Sequence, residues 1–414
     1  MKRVELLLPA GNIEKMQYAI AYGADAVYFG IVDFSLRSMK SGNIINSDNI
    51  MDAVQSAHKM GAKAFVTINI FANNDDIKKL PAFLEILKDA NPDGLIFSDF
   101  GIYSVLKKEV PDIPLHVSTQ ANTLNFEAVK FWRDAGVKRV ILARELSLKD
   151  IAEISSKVPD IELETFVHGS LCVSYSGRCL LSSYMTSNER QSNHGNCVQP
   201  CRWNYKLVEE TRPGQYFDIT EDNRGTYILN PKDIALIKYI PDLIDAGISS
   251  FKVEGRTKSI FYASIVAKAY KNAIDAHYDG KVINTEELLY ELSQAGNRGF
   301  TTGFLTETPD HTHYDYTTSK GTAGSTFVGI ITDKTAPNTY QITAKNQIKV
   351  GDNVEWITPK NLISSRVSNI INTYSERVEV ANTNDVIYLN LETDNDFDSW
   401  QWGILRRKEQ FTDV

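Results

Sequence analysis

A helix tail, a glycine and a short apolar run follow one another four times in the first 260 residues of this chain. The copies begin at Ala21, Met60, Ala135 and Ala246, with the glycine at Gly23, Gly61, Gly136 and Gly247. A glycine closes a helix by entering the left-handed region, where a Cβ would clash. The runs that follow are bulky and often β-branched, as suits a strand covered on both faces. Extending the count predicts eight strands, near 4–8, 26–30, 63–69, 94–99, 115–119, 138–143, 162–168 and 249–254. Helices separate most of them, with N-caps expected at Asn12, Asn125 and Ser147. Eight alternating units favour an α/β fold, a (β/α)8 TIM-like barrel, over an open doubly wound sheet.

A barrel carries its active site at the C-terminal ends of its strands. Polar residues gather there in this chain: Tyr28, Asn69, Asp99, Gln120, Arg144 with Glu145, His168, and Glu254 with Arg256. Singly, each is a common cap or turn residue; their repetition at strand ends makes them site candidates. Strands seven and eight are about 80 residues apart, so an insertion at 169–230 is expected above the catalytic face, as a lid or a cofactor cradle. The barrel domain is placed at 1–310. From about 322 the texture changes to short alternating runs punctuated by Asn, Asp, Gly and Pro, which predicts a small all-β barrel over 322–414. Small barrels of this type bind RNA or serve dimerisation.

Hydrophobic residues make up 43% of the chain and charged residues 23%, as in a soluble globular protein. No apolar run approaches the ~18–20 residues of a membrane span, and the apolar N-terminal stretch contains Glu5, so a cytoplasmic protein is expected. The net charge of −8 argues against nucleic-acid binding over the whole surface and leaves room for a local basic groove.

All four cysteines, Cys172, Cys179, Cys197 and Cys201, fall within 30 positions inside the expected insertion. Such clustering in a cytoplasmic chain points to metal. Only Cys197 and Cys201 form a tight pair, whereas structural zinc sites present two such knuckles. Iron–sulfur clusters accept irregular loop spacings. Spacing therefore ranks an iron–sulfur cluster first and zinc second, with incidental thiols or a disulfide behind them.

The stretch Glu164–Ser182, with its His168-Gly169-Ser170-Leu171-Cys172 core, resembles the signature of the collagenase-like peptidase U family. Leu8-Pro9-Ala10-Gly11, Ser35-Leu36-Arg37, Cys197–Tyr205, Lys252-Val253-Glu254-Gly255-Arg256 and Asn297-Arg298-Gly299 extend the resemblance over nearly the whole chain. Within the family the chain looks most like the branch that hydroxylates tRNA. That resemblance implies a 4Fe-4S cluster on the four cysteines, 5-hydroxylation of the wobble uridine of tRNA, and prephenate as co-substrate. It makes the tRNA anticodon arm the macromolecular partner, held by the β-domain.

Prephenate is a dicarboxylate, for which guanidinium groups are natural binders. Arg37, Arg144, Arg178 and Arg256 are the candidates, Asn69 and Gln120 join them as substrate-binding amides, and Glu254 and His168 are the acid–base candidates. Two other classes compete. A peptidase would pair a cysteine with His168, four residues before Cys172, but leaves three cysteines without a role. A non-catalytic RNA-binding protein with structural zinc would not need Arg144, Glu254 and Arg256 at the barrel mouth.

Overall fold

A computed structural model of the chain describes residues 3–31, 34–35, 44–172, 174, 179–187, 189–190, 192, 197–203, 207–208, 216–217, 231–307, 321–392 and 400–408. Eight parallel strands, β1 (Glu5–Pro9), β2 (Ala26–Phe29), β3 (Lys63–Ile68), β4 (Gly94–Phe97), β5 (Leu115–Val117), β6 (Arg139–Ile141), β7 (Glu162–Ser170) and β8 (Ser250–Val253), pair in sequence order. β8 pairs with both β1 and β7, so the sheet closes into a barrel and the open doubly wound alternative is excluded. The four glycines adopt φ of +119°, +80°, +85° and +88°, the conformation that ends each preceding helix. The caps also form: Asn12, Asn125 and Ser147 accept from the backbone N–H of Lys15, Ala128 and Asp150.

The lumen is filled. Leu7, Ala26, Tyr28, Phe65, Ile96, Ile141 and Phe166 form its apolar layer. Below them, toward the N-terminal ends of the strands, Arg139 bridges Glu5 at 2.7 Å and Glu164 at 2.9 Å, and Glu164 pairs with Lys252 at 2.7 Å. Buried charges persist only when paired in this way. The lumen is thus a packed core, and open chemistry is confined to the mouth.

A second barrel follows. Strands Ser325–Ala336, Thr339–Ala344, Val386–Glu392, Leu362–Asn372, Asn353–Ile357 and Ile404–Lys408 pair antiparallel in that spatial order, and the last returns to the first. This six-stranded barrel has its own core around Tyr340 and Trp356. Helix Ile260–Tyr278 is buried nearly all round because it is covered from two sides. It packs on β1 and on helix Ile13–Ala21, while Phe261 stacks on Phe327 of the β-domain at 5.4 Å. Lys268 on the same helix donates to the carbonyls of Thr358 at 2.7 Å and Asn361 at 3.1 Å.

Between β7 and β8 the chain makes the long excursion expected from the sequence. Its two ends meet in an antiparallel stem, where His168, Gly169 and Ser170 pair with Ala235, Ile234 and Asp233. Strand Phe300–Thr301 adds to the other side of Asp233–Ala235. This stem was not legible in the sequence.

Candidate active site at the barrel mouth

The strand-end residues divide into those that hold the fold and those that line the mouth. Asp99 is a cap, its carboxylate accepting from the N–H of Ile102. Tyr28 donates its hydroxyl to the carbonyl of Val253 at 2.9 Å and so ties β2 to β8.

Asn69 and Gln120 are brought together, with Asn69 Nδ2 donating to Gln120 Oε1 at 3.4 Å. Gln120 lies on the short turn Thr119–Ala121 that follows β5, and Asn69 directly follows β3. The Asn69 carbonyl also accepts from Ser98 Oγ at 3.1 Å.

Arg256 is buried just beyond β8 and donates from Nη1 to Ser35 Oγ at 2.6 Å and Thr67 Oγ1 at 3.4 Å. Ser35 and Thr67 were not singled out in the sequence; Ser35 could have been, since it opens the Ser35-Leu36-Arg37 motif. Arg144 stands over the lumenal Phe166 ring, its Cζ 3.9 Å from the centroid, and donates to the Ser170 carbonyl at 3.0 Å. Cation–π contact of this kind fixes a guanidinium without consuming its in-plane donors. Arg144 and Arg256 therefore have separate supports on the rim. Arg37 and Arg178 lie outside the described residues.

His168 and Glu254 are backbone neighbours, Glu254 N–H donating to the His168 carbonyl at 2.8 Å. The register between β7 and β8 slips here, from Phe166 opposite Lys252 to His168 opposite Val253. A one-residue bulge reverses which face the following side chains take. His168 consequently points into the helix layer, its ring centroid 5.8 Å from Tyr262, 5.5 Å from Tyr270 and 5.7 Å from Phe300. Burial, reinforced by the nearby Lys258 charge, pushes its pKa down to about 3, so the imidazole is neutral at physiological pH. Gly169, at φ +106°, permits the close approach of the two strands: a Cβ there would stand 2.3 Å from the Glu254 carbonyl oxygen. That carbonyl accepts from Tyr262 Oη at 2.8 Å.

Sequence reasoning passed over one cluster. Asp233, buried at the end of the excursion, pairs with Arg298 at 3.2 Å and Lys258 at 3.9 Å. The Asn297-Arg298-Gly299 motif was its only signal.

None of the four cysteines is in a disulfide; Cys172, Cys179 and Cys201 are half-buried and Cys197 is exposed. Backbone N–H groups point at two sulfurs, from Leu181 to Cys179 Sγ at 3.4 Å and from Gln199 to Cys197 Sγ at 3.3 Å. Such amides stabilise thiolates and cluster-bound sulfur. Ser182 sews the two halves together, donating to the Arg190 carbonyl and accepting from the Val198 N–H at 3.1 Å. Four cysteines outside any disulfide, with amides on two of the sulfurs, are the donor chemistry an iron–sulfur cluster takes. Among the described residues, no three His, Cys, Asp or Glu side chains converge closely enough to hold an ion.

Known proteins supply the comparison. A tRNA hydroxylation protein P of Escherichia coli is 38% identical, with 92% of each chain covered. A 23S rRNA 5-hydroxycytidine synthase of the same organism is 37% identical over 66% of this chain and 40% of its own length. A protein named collagenase from Porphyromonas gingivalis is 31% identical, covering 72% of this chain and 73% of its own. The family models for Peptidase family U32 and for the Peptidase family U32 C-terminal domain match residues 11–315 and 324–400. This chain belongs to peptidase family U32.

Proposed function

We propose that this protein is an RNA-modifying enzyme that 5-hydroxylates the wobble uridine of tRNA in a prephenate-dependent reaction, with a 4Fe-4S cluster on Cys172, Cys179, Cys197 and Cys201. The observation that carries the reading is the 38% identity, over 92% of both chains, to a protein named for tRNA hydroxylation. It is supported by a cysteine-bearing excursion rooted at the C-terminal face of the barrel, where chemistry is carried out in this fold.

Side chains alone do not oxidise a pyrimidine, and the cluster, when bound, would supply electron transfer or a Lewis-acidic iron. The chain's own residues supply recognition and proton handling. Arg144 and Arg256, with Arg37 and Arg178, take the two carboxylates of the co-substrate. The Asn69–Gln120 amide pair offers complementary donors and acceptors to the edge of a base turned out of the anticodon loop. Glu254 is the proton carrier at the mouth. His168, neutral and enclosed by three aromatic rings, supports the β7–β8 junction that presents Glu254. The β-domain holds the anticodon arm, and the reaction is cytoplasmic; among the described residues no helix is long and apolar enough to cross a membrane.

The collagenase-named relative raises a peptidase reading. A thiol protease needs an imidazole poised beside its thiol, and the His168 ring is instead packed against Tyr262, Tyr270 and Phe300. The hydroxylase reading is therefore the better supported.

Mass spectrometry of tRNA nucleosides from a deletion strain tests it. The expected result is loss of the 5-hydroxyuridine family at the wobble position; unchanged nucleosides would remove the RNA assignment. Iron and sulfide analysis after anaerobic purification tests the cluster separately, and stoichiometric zinc without sulfide would replace it with a structural metal.

A further inference from the structure

The excursion that carries every cysteine leaves the barrel at Ser170 and re-enters at Asp233, and these two residues are Cα partners in the stem. One side chain reaches both. Arg298 Nη1 donates to Asp233 Oδ1 at 3.2 Å and lies 3.5 Å from Ser170 Oγ. Arg298 is itself held in place by the turn it sits on. The Asp233 N–H donates to the Gly299 carbonyl at 3.0 Å, and Asn297 Oδ1 accepts from the Gly299 N–H at 2.9 Å. Asn297 also bridges to Thr322 at the entrance to the β-domain. Lys258, from the loop after β8, adds a second cation to Asp233 at 3.9 Å.

We propose that Arg298 is a positioning residue: it clasps the exit and return points of the excursion and so fixes where Cys172, two residues beyond Ser170, stands relative to the barrel mouth. The stem is short, with three residue pairs. A ladder of that length frays readily unless a side chain ties its open end. Asp233 is almost fully buried and its two carboxylate oxygens face Arg298 and Lys258, so removing a cation strips a desolvated group of its partner. Removing Arg298 loosens the end of the stem nearest the cysteines and leaves the far end, where Tyr270 donates to the Val167 carbonyl at 2.7 Å, intact. The inference rests on the proposed role of the cysteines as one centre, but its test does not depend on which metal they hold.

The test is peptide-resolved alkylation of the reduced, full-length chain, purified without added metal, using iodoacetamide. In Arg298→Met the rate at Cys172 is expected to rise about fivefold or more, while the already exposed Cys197 changes less than about twofold. Arg298→Lys, which keeps a cation beside Asp233, is expected to restore most of the wild-type rate. Ser170→Ala, which removes one acceptor and leaves the ion pair, is the milder variant, with a rise of about twofold expected at Cys172. An unchanged Cys172 rate in Arg298→Met would overturn the proposal. So would an equal rise at all four cysteines, which reports general loosening, or a lysine variant as reactive as the methionine one. Iron and sulfide content remains the test of the cluster, so the two ideas fail separately.

Discussion

Arg406 of the β-domain and Glu291 of helix Thr285–Ser293 form a two-pronged ion pair across the domain boundary, Nη1 and Nη2 lying 2.8 and 2.9 Å from the two carboxylate oxygens. Arg406 is fully buried, and its Nε goes to Glu355 at 2.6 Å within its own domain. Removing Glu291 strips Nη1 and Nη2 of this buried guanidinium of their carboxylate, while Glu355 still holds Nε. Glu291→Ala is expected to destabilise the chain by about 3 kcal/mol, measured by urea unfolding. Loss below about 0.5 kcal/mol would show the domains to be held by their apolar contacts alone.

His168 gives a pH signature. Its pKa in the fold is about 3, against an ordinary imidazole value of 6.5. Between those values the unfolded chain binds a proton that the folded one does not. Stability from this residue is therefore complete above about pH 6.5 and falls as pH is lowered toward 3. Urea midpoints measured from pH 7 to pH 4 should drop more steeply for the wild type than for His168→Gln. Parallel curves would mean that the imidazole is not buried neutral.

Lys268 works at the opposite end of the scale. Burial first of all, with the Arg406 charge adding to it, pulls its pKa down to about 8 from 10.5. Above about pH 8 the folded chain has released this proton while the unfolded chain retains it, up to 10.5. The stability difference between wild type and Lys268→Met should move in favour of the wild type across that window. A difference that does not vary with pH would place the ammonium in solvent.

Arg256→Lys separates binding from folding. A single ammonium cannot hold both Ser35 and Thr67 and still present a planar fork to a carboxylate. The expected outcome is a rise of about tenfold in KM for the proposed dicarboxylate co-substrate with kcat changed less than about threefold. A fall in kcat at constant KM would move Arg256 from binding to chemistry.

The repeating units were legible because each carries its own punctuation. Gly23, Gly61, Gly136 and Gly247 mark helix ends whatever packs around them, and Asn12, Asn125 and Ser147 mark starts. The mouth was legible only as a set of strand ends. That Asn69 meets Gln120 could be guessed from neither position, since β3 and β5 are separated in the barrel by β4. His168 faces the helices for a definite reason: one extra residue in β7 turns it there from the side that Glu164 and Phe166 take, and strand-end position alone carries no sign of a bulge. Arg298 escaped because strands as short as Asp233–Ala235 and Phe300–Thr301 have no period to detect.

Because Ser170 and Asp233 face one another, the barrel registers the excursion as a hairpin, whatever lies between them. The sixty-odd intervening residues could lengthen, shorten or be exchanged while the stem that joins them to the barrel stays the same. One scaffold can in this way carry different excursions from the same root. A graft of the segment between those two residues onto a relative should transfer the excursion as a unit, with the host barrel's unfolding midpoint unaltered.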